Sequence, residues 1–108
     1  MSMYKKLVRD KIPTIIESKG QIPITRILSD KEYKLELEKK LNEEYQEVLN
    51  ATGDERIEEL ADMLEVMIYL AKLENKTLDD IIEVCNQKHD KRGGFEDKIY
   101  LDDVESRE

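Results

Sequence analysis

Apolar residues recur along this chain at helical spacing, with polar residues filling the intervals. Over 10–19, Ile12, Ile15 and Ile16 share a face, Asp10 can cap, Pro13 suits a first turn and Gly20 ends the pattern. Over 21–28, Ile22 and Ile24 alternate around Pro23, which predicts an extended connector or a short edge strand. Ser29-Asp30-Lys31-Glu32 is a capping box and opens a helix running to about Leu49. A turn over 50–54 leads into a third helix, from Asp54 or Glu55 to about Leu73. Asn75-Lys76 breaks it, and Thr77-Leu78-Asp79-Asp80 offers a second capping pattern before a helix over 78–92, closed by Gly93-Gly94. The expected fold is all-α, with four main helices and a short extended connector. A turn as short as 50–54 should make the second and third helices antiparallel neighbours. Residues 1–97 read as one domain and 98–108 as an acidic tail.

Placing the side chains at 100° per residue brings out an anomaly. In the second helix Tyr33, Leu37, Leu41 and Val48 form one apolar stripe. Glu44 falls inside that stripe, Lys40 and Glu47 at its edge, and Glu43 further round. The third helix is apolar on two sides. One face holds Ile57, Leu60, Ala61, Leu64, Met67, Ile68 and Ala71, and the other Met63, Val66, Leu70 and Leu73. Glu59 and Asp62 head the second face, whereas Glu58, Glu65 and Lys72 lie on the water-facing strip between the two. A helix with two apolar faces is sandwiched, within the monomer or by another subunit. Two neighbouring helices thus each carry an inward acidic pair at i, i+3, Glu44/Glu47 and Glu59/Asp62. Such a spacing sets Cβ atoms ~5–6 Å apart. A carboxylate in an apolar stripe is costly unless paired or metal-bound, and four converging ones need a cation to offset their repulsion. Oxygen donors suit hard divalent ions, Mg²⁺ or Mn²⁺ above all. A single inward Glu would be better explained as half of an ion pair. Two such pairs on adjacent helices favour a metal.

Composition narrows the choices. The chain has 108 residues, is 41% charged and carries a formal net charge of −8. High charge with few aromatics can mean disorder, but the helical periodicity argues for a folded domain. The acidity excludes a nucleic-acid-binding domain, which needs a basic face. No apolar run approaches the ~18 residues of a membrane span, and the first six residues lack a secretory apolar stretch. A cytoplasmic location is therefore expected. One Cys and one His exclude a disulfide framework, a Cys-based zinc site and the Glu-x-x-His pairs of a di-iron bundle. Cys85 reads as a small core thiol on the last helix. His89 reads as a surface or interface residue, or as a substrate contact, and Met63 and Met67 as core or dimer packing residues. A domain this small buries a modest core, so a homodimer or higher homo-oligomer built around helix three is expected.

The same acids carry a resemblance. Glu43-Glu44-Tyr45-Gln46-Glu47 is an EExxE motif and Glu59-Leu60-Ala61-Asp62 an ExxD motif. Together they resemble the all-α nucleotide pyrophosphohydrolase superfamily, which includes MazG proteins, dimeric dUTPases and phosphoribosyl-ATP pyrophosphohydrolase. The Tyr4–Pro13 block and Lys91-Arg92-Gly93-Gly94-Phe95 are similar to a MazG-like subgroup, so the likeness covers about residues 4–96. It implies a MazG-like bundle and Mg²⁺-dependent cleavage of a nucleoside triphosphate to monophosphate and pyrophosphate. House-cleaning of non-standard nucleotides is the family-level role. Carried over by position, Glu44, Glu47, Glu59 and Asp62 would hold the metal. Glu43 would be the auxiliary catalytic acid, positioning water or ligating a second metal. The alternatives are the phosphoribosyl-ATP step of histidine biosynthesis and a non-catalytic helical regulatory module.

With no GxxxxGK[ST] loop, any phosphate must be held by metal and by basic side chains. Lys and Arg on a surface usually signify little on their own. Beside a metal–phosphate site they gain meaning, because a pyrophosphate leaving group needs cations. The candidate substrate contacts are Arg9, Lys11, Lys40, Lys88, Lys91 and Arg92. With no Trp and a single Phe, base stacking would fall to Phe95 or a Tyr.

Overall fold

A computed structural model describes residues 5–107. It comprises helices α1 (Ile12–Ser18), α2 (Asp30–Asn50), α3 (Gly53–Leu73) and α4 (Leu78–Arg92), with no strand among the described residues. The fold is therefore all-α, as the periodicity predicts. No helix among these residues is long and apolar enough to cross a membrane. The chain divides into two compact units, which meet in sequence at Lys76 and Thr77.

In the first unit, α1 is shorter than expected. Lys11, not Asp10, stands at its N-cap and makes no side-chain cap bond, while Pro13 sits in the first turn, where a missing N–H costs nothing. Gly20 takes φ +79°, which lets the amides of Gly20 and Gln21 donate back to Glu17 (2.9 Å) and Ile16 (3.3 Å). The segment after it forms neither helix nor strand, so of the two readings of 21–28 the connector holds over the edge strand. Ile22, Ile24 and Ile27 are almost wholly exposed there.

The capping box at the start of α2 forms as its sequence dictates. The Ser29 hydroxyl accepts from the Glu32 amide at 3.2 Å, and the Glu32 carboxylate accepts from the Ser29 amide at 3.3 Å. Arg26 pairs with the same carboxylate at 3.0 Å. Together Arg26 and Ser29 hold the Glu32 carboxyl below its ordinary pKa.

Only Ala51 and Thr52 separate α2 from α3. Gly53 takes φ +59°, which lets the chain reverse in so few residues. The Arg56 side chain donates to the Ala51 carbonyl at 2.8 Å, satisfying a half-buried acceptor in the turn. The two helices consequently pack against each other as an antiparallel hairpin. Leu37 of α2 and Val66 of α3 are the buried centre of this pair, with Ala51 buried at the turn. Val66 belongs to the second apolar face of α3, so that face meets α2. On the other face Ile57, Leu60 and Leu64 are 39–65% exposed.

The second unit contains α4, whose Thr77–Asp80 capping box also forms, with bonds of 2.8 and 3.2 Å. Gly93, at φ +79°, ends the helix. No residue of α4 is buried. Cys85 is exposed, which corrects its reading as a core thiol: helical spacing put it beside Leu78, Ile81 and Ile82, but only Leu78 and Ile81 of that row are half-buried. Residues 98–107 have no regular structure.

The two cap sites give a test. Ser29→Ala should cost about 1 kcal/mol in urea denaturation. Thr52→Ala at the N-cap of α3, where the side chain makes no cap bond, should stay within about 0.5 kcal/mol of wild type.

Candidate metal centre

The antiparallel hairpin sets Glu44 of α2 opposite Glu59 and Asp62 of α3. One carboxylate oxygen from each lies within 4.8 Å of the others, and all three side chains are half-buried. Glu44 is there because it occupies a core position of α2, two helical turns from Leu37 and one from Leu41. Glu59 and Asp62 are there because they continue the Val66 face toward the turn. Glu47 is exposed and outside this trio, yet its charge still acts on Glu59. That follows from its place at the edge of the stripe. Glu43 is exposed and accepts an ion pair from Lys40 at 3.6 Å.

The electrostatics record crowding of like charge. The Glu44 carboxyl is pushed above its ordinary pKa by burial first and then by Asp62, with Lys40 opposing. The Glu59 carboxyl is also raised, by desolvation and then by Glu47 and Asp62. Asp62 has a cationic partner: the Arg9 guanidinium donates from Nη2 to Oδ1 at 2.7 Å.

Glu44 and Asp62 lie on a cleft of about 140 Å³. The segment ahead of α1 contributes Leu7, Val8, Arg9 and Asp10, α2 contributes Tyr33, Leu37 and Lys40, and α3 contributes Glu65, Val66 and Tyr69. Burial raises the Tyr33 phenol, helped by Tyr69 and Asp10. Lys72 stands 4.4 Å from the centre of the Tyr69 ring.

Of the substrate contacts expected from sequence, Arg9 and Lys40 share this cleft with the acids. Lys11 is exposed at the start of α1 and does not line it. Lys88, Lys91, Arg92 and Phe95 belong to the second unit. There Arg92 and Phe95 line a different cleft of about 270 Å³ with His89, Gly93 and Gly94, and Phe95 is 97% exposed. Sequence reasoning missed Asp10, Tyr33, Glu65 and Tyr69 as cleft residues. Tyr33 lay in the Leu37 stripe and passed for core, and Tyr69 lies two turns beyond Asp62 on the same side of α3. Glu65 sat on the water-facing strip.

The trio suits a hard divalent cation. All its donors are carboxylate oxygens, and oxygens on opposite sides of such an ion stand about 4–5 Å apart. Glu44, Glu59 and Asp62 would supply the ligands.

Comparison with known proteins adds one relative. A 54-residue stretch is 46% identical to a protein of Mycolicibacterium smegmatis (strain ATCC 700084 / mc(2)155) described as an uncharacterized protein. The match covers 49% of this chain and 55% of that protein, so the chain spans about half the length of the relative it matches. No family model and no solved structure matches the chain.

The raised Glu44 carboxyl has a consequence for stability. Below the ordinary value of 4.5 Glu44 is protonated in both the folded and the unfolded chain. As pH rises through its raised folded value, the folded state must ionise it against its neighbours, and that contribution to stability is lost. With divalent cations chelated, Glu44→Gln should therefore match wild type near pH 4 and melt a few degrees higher at pH 7. Calorimetry across that range checks it, and a gap that closed as pH rose would refute the cause given.

Proposed function

We propose that this chain is a Mg²⁺-dependent nucleotide pyrophosphohydrolase with a MazG-like bundle. Its reaction would convert a nucleoside triphosphate into monophosphate and pyrophosphate. The observation that carries the reading is the meeting of Glu44 with Glu59 and Asp62. The EExxE and ExxD motifs were separate strings in the sequence, and the hairpin joins their acids within 4.8 Å. When bound, Mg²⁺ or Mn²⁺ supplies Lewis-acid polarisation of a phosphoryl oxygen and a more acidic bound water. Glu44, Glu59 and Asp62 hold the cation, with Glu47 close enough to add charge from outside. Glu43, steadied by Lys40, positions the water or ligates a second cation. The water oxygen bonds to the α-phosphorus as the bond from that phosphorus to the α,β-bridging oxygen breaks; pyrophosphate leaves with the bridging oxygen, and the water's proton passes to solvent. Arg9 and Lys40 on the cleft offset the negative charge of the phosphates.

The Arg9-Asp10-Lys11-Ile12-Pro13 block favours a MazG-like role in nucleotide house-cleaning over the phosphoribosyl-ATP reaction. One observation favours a non-catalytic module instead: Arg9 already neutralises part of the acidic cluster without a metal. A nucleotide panel with Mg²⁺ and Mn²⁺, assayed for pyrophosphate against orthophosphate, separates the readings. Wild type should release pyrophosphate. Asp62→Asn should lose more than about 100-fold of that rate with its helical circular dichroism intact. Unchanged release by the variant would sink the site, and no turnover on any nucleotide would favour the module.

The open face of α3 fits a second copy of the chain. Ile57, Leu60 and Leu64 lie on one side of a helix whose other side is already covered by α2. Light scattering should find a dimer or larger assembly, and Leu60→Glu should reduce it to monomer. A monomeric wild type would refute this part.

A further inference from the structure

The Arg9–Asp62 pair links two parts of the chain that the proposed chemistry would use differently. Its partners are 53 residues apart in sequence, and the bond is a single one, from one guanidinium nitrogen to one carboxylate oxygen. Both side chains are about half exposed, at 57% and 45%. Exposed pairs of this kind are weak and readily exchanged. Arg9 also lies ahead of α1, outside any helix, so its side chain can leave Asp62 without unwinding a helical turn.

We propose that Arg9 is an exchangeable counter-charge for Asp62. It neutralises Asp62 while no divalent cation is bound, yields that carboxylate when the cation arrives, and then serves the cleft as a free guanidinium for an anionic ligand. The inference rests on the reading of Glu44, Glu59 and Asp62 as a cation site. A divalent ion held by those three carboxylates and a guanidinium on Asp62 Oδ1 repel each other at close range. The exchange keeps the cluster compensated in both states. It also biases binding toward cation before anion, by no more than the few-fold that a weak exposed pair supplies. The freed guanidinium lies on the same cleft as Lys40, and its planar fork suits phosphate oxygens.

Mn²⁺ binding followed by electron paramagnetic resonance, without nucleotide, tests the exchange. Arg9→Gln should bind Mn²⁺ about two- to fivefold more tightly than wild type, the range expected on removing a competitor held by an exposed ion pair. Lys5→Gln removes one charge from the same segment and should bind as wild type does. Inorganic pyrophosphate should then bind the Mn²⁺-loaded Arg9→Gln protein more weakly than the loaded wild type. Equal Mn²⁺ affinities would overturn the exchange, and weaker binding by Arg9→Gln would make Arg9 a residue that positions Asp62. An equal gain in Lys5→Gln would reduce the effect to general charge and overturn it too. If neither wild type nor Arg9→Gln binds Mn²⁺, the cation site itself fails, an outcome distinct from a failure of the exchange alone.

Discussion

Mutual repulsion among carboxylates that packing forces together is the constraint on which the site depends. The two-residue connection at Ala51–Thr52 makes α2 and α3 antiparallel, and the burial of Leu37 and Val66 marks which faces meet. Those faces carry Glu44, Glu59 and Asp62 with them. The hairpin could bury more apolar surface with Leu or Met at these positions. Acids there raise the Glu44 and Glu59 carboxyls and weaken the packing, a pattern typical of positions where function competes with stability.

The compensation for that repulsion comes partly from outside the hairpin and partly from α2 itself. Arg9 reaches Asp62 from the segment before α1, and Lys40 stands between Glu43 and Glu44 on α2. A net charge of −8 therefore does not describe the cleft, whose lining includes Arg9 and Lys40 with Asp10, Glu44, Asp62 and Glu65, and the buried Leu37 and Val66. A negatively charged ligand approaching this cleft meets Arg9 and Lys40 as well as carboxylates, so the acidity of the whole chain is no barrier to an anionic substrate.

Legibility in the sequence followed the range of the interaction. The starts of α2 and α4 were readable because a capping box is complete within four residues, Ser29–Glu32 and Thr77–Asp80. The inward position of Glu44, Glu59 and Asp62 was readable because a helical wheel needs only spacing. Glu47 was the least inward of the four on that wheel, and the structure leaves it outside the trio. Bonds between distant residues were not readable: nothing local marks Arg9 as the partner of Asp62, or Tyr33 and Tyr69 as walls of one cleft. Cys85 shows the limit of periodicity. Spacing assigns a residue to a face but does not say whether anything covers that face, and in α4 that side is mostly open.

The most direct test of the central claim is anomalous diffraction from crystals of the protein soaked or grown with Mn²⁺. One strong Mn²⁺ peak bonded to oxygens of Glu44, Glu59 and Asp62 is expected, with Arg9 no longer on Asp62. Ordered carboxylates with no peak between them, at Mn²⁺ concentrations that saturate ordinary carboxylate sites, would contradict that claim.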